Sequence, residues 1–104
     1  MKLLTKTIEK NIPALYAQDG KGKNTMAYVK FFLDSFTWYA TEYSQEEKLF
    51  FGKVYSSLCP EGEFGYFSLD ELSKVKNRYG CGVERDLYFK PTLLKDCENP
   101  CISK

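Results

Sequence analysis

Apolar residues recur in this chain with two different periods. Three runs are aromatic and β-branched: MAYVKFFL at 26–33, TWYATEY at 37–43 and LFFGKVYSS at 49–57. Such composition suits a pleated, half-buried surface. Only short polar breaks, DSF and SQEEK, part the runs, so consecutive antiparallel strands are predicted. In the first run Tyr28, Lys30 and Phe32 alternate with Ala27, Val29 and Phe31, and the lysine face meets water at least in part. In the third, Leu49, Phe51, Lys53 and Tyr55 alternate with Phe50, Gly52 and Val54. Gly52 marks a bulge or the close approach of a neighbouring backbone. Trp38 reads as a core or sheet-face residue, with a ligand-stacking platform as the other reading. LCPEGE at 58–63 reads as a turn, and FGYFS at 64–68 as a fourth strand.

The second period is helical. SLDELSKVKNRYG at 68–80 places Ser68 and Glu71 at capping-box spacing, where each satisfies a free N–H of the first turn. Leu69, Leu72, Val75 and Tyr79 form an apolar stripe. Asp70 and Glu71 precede Lys74, Lys76 and Arg78, in the sense the helix dipole favours. Gly80 suits the left-handed position after the helix. A helix is predicted over about 69–79, its basic end read as a solvated face or as a phosphate contact. TKTIEKNI at 5–12 predicts a short N-terminal helix capped by Thr5, with Ile8, Ile12 and Leu15 at helical spacing. Pro13 ends it near Asn11.

Two stretches invite chemistry. AQDGKGKNT at 17–25 is rich in Gly and Lys, but no Gly stands five residues before Gly22, Asn24 separates Lys23 from Thr25, and no strand precedes it. It lacks the mechanics of a phosphate-binding loop and reads as a flexible surface loop. VERDLYFKP at 83–91 sets Glu84, Arg85 and Asp86 directly against Leu87, Tyr88 and Phe89. As one regular strand it would place Arg85 among apolar neighbours, where an unpaired charge is costly. The easier geometry makes Glu84–Asp86 the lead-in to a strand at 87–90. Leu87 and Phe89 then point inward, Tyr88 and Lys90 outward, and Pro91 closes an edge strand. The charges are either a local network that fixes the turn or an exposed recognition corner. Arg85 is expected to be structural, with Ser68, Glu71 and Leu72. Tyr88, Lys90, Glu84, Asp86, Lys21 and Lys23 are the candidate partner contacts.

The elements add up to an α+β domain: a mainly antiparallel sheet of four to five strands, the 69–79 helix packed on one face, and a short N-terminal helix. Residues 1–91 form the expected single domain and 92–104 an unanchored tail.

Composition narrows the chemistry. The chain has 104 residues, 15 Lys and Arg against 14 Asp and Glu, and a net charge of +1. It shows neither the basic stripe of a typical nucleic-acid binder nor the acidic excess of a nucleic-acid mimic. There is no histidine, which removes His general bases, Ser-His and Cys-His pairs and His-containing metal sites. Carboxylates, Lys, Tyr and Cys remain as catalysts, so an enzyme is the third reading and not the first. Cys59, Cys81, Cys97 and Cys101 include one close pair, where a structural zinc site usually shows two. Free thiols, no metal and no cofactor are expected. No apolar run approaches the ~20 residues of a membrane span, and charges interrupt the basic MKLLTKTIEK start, so a cytoplasmic protein is expected.

MKLLTKTIEKNIPALYAQDGKGK, VKFF, TWY, LFFGKV, FGYFSLDEL and ERDLYFKP follow one another in order. Over about residues 1–91 they resemble a small bacterial domain family of unknown function, found on plasmids, phages and conjugative elements. SQEEK is shorter than the glutamate-rich turn usual in that family before LFFG, and Cys97 and Cys101 lie outside the similarity. The resemblance supplies no catalytic residues. It implies a mobile-element accessory protein and, through an inhibitor of type II CRISPR nucleases associated with the family, an anti-CRISPR that binds the effector or its guide-RNA complex. The expected function is therefore non-enzymatic binding of a protein partner. The alternative is a nucleic-acid-binding accessory module using Lys21, Lys23, Lys74, Lys76 and Arg78, which salt dependence would distinguish.

Overall fold

The computed structural model describes residues 3–18 and 20–97, with the backbone alone at Lys23. In chain order the elements are α1 (Lys6–Asn11), β1 (Met26–Ala27), β2 (Val29–Leu33), β3 (Phe36–Ser44), β4 (Leu49–Ser56), β5 (Cys59–Ser68), α2 (Leu69–Lys74), β6 (Glu84–Arg85) and β7 (Thr92–Leu93). Short 3-10 turns at Gly22–Asn24 and Leu94–Asp96 flank the pairing of β1 with β7. The other five strands form an antiparallel sheet in the order β5-β4-β3-β2-β6. The domain is mostly antiparallel sheet, and its helix content is small.

The three aromatic runs become strands because alternate residues find alternate faces. On the first face, Phe31 from β2, Trp38 and Tyr43 from β3, Phe50 from β4 and Phe67 from β5 pack together. Phe50 sits at the centre, 4.5 Å from the Tyr43 ring centroid and 5.3 Å from Phe31. Leu3, Ile12, Leu72 and Val83 close this layer. The opposite face carries a smaller cluster of Ala27, Tyr39 and Tyr55, against which Phe89, Leu94 and Cys97 pack. β3, at the centre, is therefore buried on both sides.

A bulge between Ala40 and Glu42 re-aims the end of β3. Thr41 is the extra residue, and its hydroxyl donates to the Phe51 carbonyl at 3.1 Å. An unbulged strand would put Glu42 on the face of Trp38 and Ala40. With one residue added, Tyr43 turns into the first-face core and Glu42 emerges on the second. Gly52 lies opposite Ala40, and a Cβ there would stand 1.9 Å from the Tyr39 carbonyl oxygen. Both readings of this glycine hold: it borders the bulge, and the neighbouring backbone approaches it closely.

Four expectations change. LCPEGE is not a turn: Ser57 and Leu58 make the turn, Ser56 Oγ accepts the Leu58 and Cys59 N–H groups at 3.2 Å each, and β5 starts at Cys59. Pro60 is tolerated because β5 is a sheet edge. The predicted 69–79 helix ends at Lys74. Ser68 Oγ caps it by accepting the Glu71 N–H at 2.9 Å, and Leu72 is buried as expected, but Val75 and Tyr79 are exposed. Asn77 ends the helical run: its side-chain oxygen accepts the N–H groups of Tyr79 and Cys81, and its carbonyl accepts that of Gly80. Asn competes with helix in this way through its own amide. Gly80, at φ +80°, serves this loop and not a helix end.

The third change is at 87–90, where no strand forms; Leu87 and Tyr88 are a turn after β6. The fourth concerns the residues after Pro91. They are not loose up to Cys97: Thr92 and Leu93 pair with Ala27 and Met26, and the Leu94 N–H donates to the Thr25 carbonyl. The rest of the expected tail, including Cys101, lies outside the described residues.

Candidate functional site

The 84–91 corner is built on the β6 edge. Glu84 pairs with Phe32 and Arg85 with Phe31 of β2. The bonds that then turn the chain converge on Asp86. Its N–H donates to the Lys30 carbonyl at 2.9 Å, its Oδ1 accepts the Tyr88 N–H at 2.9 Å, and its carbonyl accepts the Phe89 N–H at 3.3 Å. Its Oδ2 stands 3.9 Å from Lys30 Nζ. An aspartate that caps the amide two residues on is a turn-former, and this is why the chain folds over here instead of extending. Asp86, expected as a contact, is engaged in holding the corner, and Arg85 lies half-buried beside it.

The turn reverses part of the predicted orientation. Phe89 does point inward, its ring 5.9 Å from Tyr39. Leu87, expected inward, is 62% exposed, and Tyr88 is 90% exposed. The two form a ridge between two hollows. One, of about 290 Å³, lies toward α1 and is lined by Thr7, Ile8, Asn11 and Tyr28 among others. The other, of about 520 Å³, is more open and includes Lys30, Phe32, Asp34, Thr37 and Glu84. Glu84 and Lys90 are exposed at the flanks.

The glycine- and lysine-rich stretch is the surface loop expected, and its two ends are held on the second face. Buried Gln18 donates through Nε2 to the carbonyls of Met26 and Thr41, at 2.9 and 2.7 Å, and accepts the Met26 N–H at 2.6 Å. Buried Glu42 accepts the Tyr16 N–H on one carboxylate oxygen and the Gln18 N–H on the other, each at 2.9 Å. Lys21 is exposed on this loop, and the side chain of Lys23 lies outside the described residues. Lys74 pairs with Asp70 at 3.0 Å, and Arg78 lies over its neighbour Tyr79. Lys74 ends α2 and Arg78 follows it, and Leu72 of that helix belongs to the first-face core. Lys21 and the 74–78 cations are thus divided between the two faces of the sheet.

Sequence reasoning missed Glu42 and the rings beside it. A single carboxylate inside TWYATEY was the available signal, since a buried charge demands partners. Near Glu42, on the outer half of the second face, Phe51, Phe64, Tyr66 and Tyr16 gather, and the Tyr66 hydroxyl donates to that of Tyr16 at 3.2 Å.

Cys59, Cys81 and Cys97 are free thiols. Burial is the main cause that pushes the Cys97 thiol up to about 11, opposed by Lys30 and reinforced by Asp96. Among the described residues no group of three Cys, Asp or Glu side chains is placed to hold a metal ion, and no helix is long and apolar enough to cross a membrane.

No curated protein and no solved structure compared with the chain matches it. A family model does, over residues 3–94, a span that runs from the first buried leucine through the β7 pairing. The chain belongs to the family described as "Protein of unknown function (DUF2958)".

Proposed function

We propose that this domain is a non-enzymatic accessory protein of mobile elements that acts in the cytoplasm by docking onto a protein partner through the 84–90 corner. Its concrete form is the one the family resemblance implies, an anti-CRISPR that binds a type II effector nuclease or its guide-RNA complex. The observation that carries the docking reading is the exposed Leu87–Tyr88 ridge, held by a turn whose bonds converge on Asp86. A fixed exposed ring contributes a large contact area without the ordering cost of a mobile loop. Glu84 and Lys90 at the flanks supply charges that select a partner and set the approach. The α+β description fits a domain of this kind, with α2 and α1 closing one face and the corner leaving the sheet edge.

The test is a DNA-cleavage assay with a guide-loaded type II nuclease. The chain is expected to inhibit cleavage, and Leu87→Ala with Tyr88→Ala to weaken inhibition by about 30-fold, the effect of losing a hot spot. Equal inhibition by the double variant would move the contact off the corner.

A further inference from the structure

We infer that the outer half of the second sheet face is a stacking platform for single-stranded nucleic acid, separate from the docking corner. That face is divided. Over Tyr39 and Tyr55 it is covered by Phe89, Leu94 and Cys97. Over β4 and β5 it stays open among the described residues, with Phe64 58% and Tyr66 51% exposed. Register makes these rings an array: Phe64 lies opposite Lys53, and Tyr66 opposite Phe51. Phe51 supports both, nearly parallel to Phe64 at 13° and edge-on to Tyr66 at 60°. Phe64 and Tyr66 are two residues apart on one strand, about 7 Å, a spacing at which successive bases can each meet a ring.

A third ring is added at a conformational cost. Tyr16 has φ +70°, uncommon for a residue with a Cβ, and is 67% exposed. Glu42 holds its N–H, and its hydroxyl accepts from Tyr66. An outlier fixed from two sides beside an open face points to a purpose for the ring.

The charges on this half suit phosphate. Lys53 Nζ lies 5.4 Å from the Phe64 ring centre and 5.3 Å from that of Tyr55, beside the stacking surface. Lys21 is exposed on the adjoining loop. Glu63 pairs with Val54 and so leaves from the opposite face, and both oxygens of Glu42 accept backbone N–H groups. Rings, hydroxyls and an ammonium make up this array, whereas the ridge of the corner carries Leu87. Rings accept any base by its π-face, while cations track the backbone.

Fluorescence anisotropy with a labelled oligothymidine or oligouridine of about 15 nucleotides, at about 50 mM salt, tests this. The single strands are expected to bind at least tenfold more tightly than a duplex of the same length, with a log–log salt slope near −1, because few phosphates are met. Phe64→Ala or Tyr66→Ala is expected to weaken binding about tenfold or more, and Tyr66→Phe to retain it. Leu87→Ala with Tyr88→Ala should leave it unchanged, so that failure of the corner and failure of this face are told apart. Absence of single-strand binding, equal affinity for duplex, or full binding by Phe64→Leu would overturn the inference. Concentration-dependent self-association abolished by Phe64→Ala would also overturn it, by assigning the face to a second copy.

Discussion

The backbone N–H of Gln18 donates to Glu42 Oε2 at 2.9 Å across 24 residues of sequence. Through this bond the bulged end of β3 fixes the glycine- and lysine-rich loop. The second carboxylate oxygen holds Tyr16, and the Gln18 amide completes the junction on Met26 and Thr41.

Glu42→Ala is expected to lower stability by about 1–3 kcal/mol, since two N–H groups would lose their acceptor. Hydrogen exchange should show the loss at the Tyr16 and Gln18 amides before the β3–β4 ladder. Unchanged protection of both amides would contradict the role given to Glu42.

Leu72→Ala should cost about 2–5 kcal/mol in chemical denaturation, because Leu72 is the buried residue of the six-residue α2. Tyr79→Ala, on the exposed loop beyond the helix, should stay within about 0.5 kcal/mol of the parent. Comparable losses for the two would restore the longer helix.

Gly52 and Gly65 face each other across β4 and β5, yet differ in what a methyl group would meet. Gly52→Ala drives a Cβ into the Tyr39 carbonyl and is expected to cost about 3 kcal/mol or more. At Gly65 nothing lies within 4 Å, so Gly65→Ala should be tolerated. Equal thermal stability of the two variants would refute the close approach.

Cys97 packs beside Tyr39 and Tyr55, and its thiol is raised to about 11, mainly by burial. The folded state therefore favours the neutral thiol. This contribution is complete below the unfolded thiol's pKa and is lost as pH rises toward about 11. At mildly alkaline pH, iodoacetamide should modify exposed Cys81 at least about tenfold faster than Cys97. Equal rates would mean that the 92–97 segment is not seated on the sheet.

Strands were legible wherever aromatic and polar positions alternated, and the caps at Thr5 and Ser68 were legible because a side chain caps its own local turn. Elements decided by competition were not. The stripe Leu69, Leu72, Val75 and Tyr79 has helical spacing, but Asn77 closes a loop on Cys81 and Gly80 that outweighs it. At the corner a network that fixes the turn was one of two legible readings, but its assignment to Asp86 was not, because the Asp86 bond to Tyr88 depends on where Lys30 holds the backbone. The Gln18–Glu42 junction joins distant segments through a bulge, so the lone carboxylate in TWYATEY signals a need for partners without naming them.

The proposed function depends most on the corner as a docking element. The direct measurement is the dissociation constant of this chain for a guide-loaded type II nuclease, with and without Leu87→Ala and Tyr88→Ala. Saturable binding of the parent is expected, with a loss of about 30-fold in the folded double variant. Binding that is absent for the parent, or unchanged in the double variant, would contradict the proposed function.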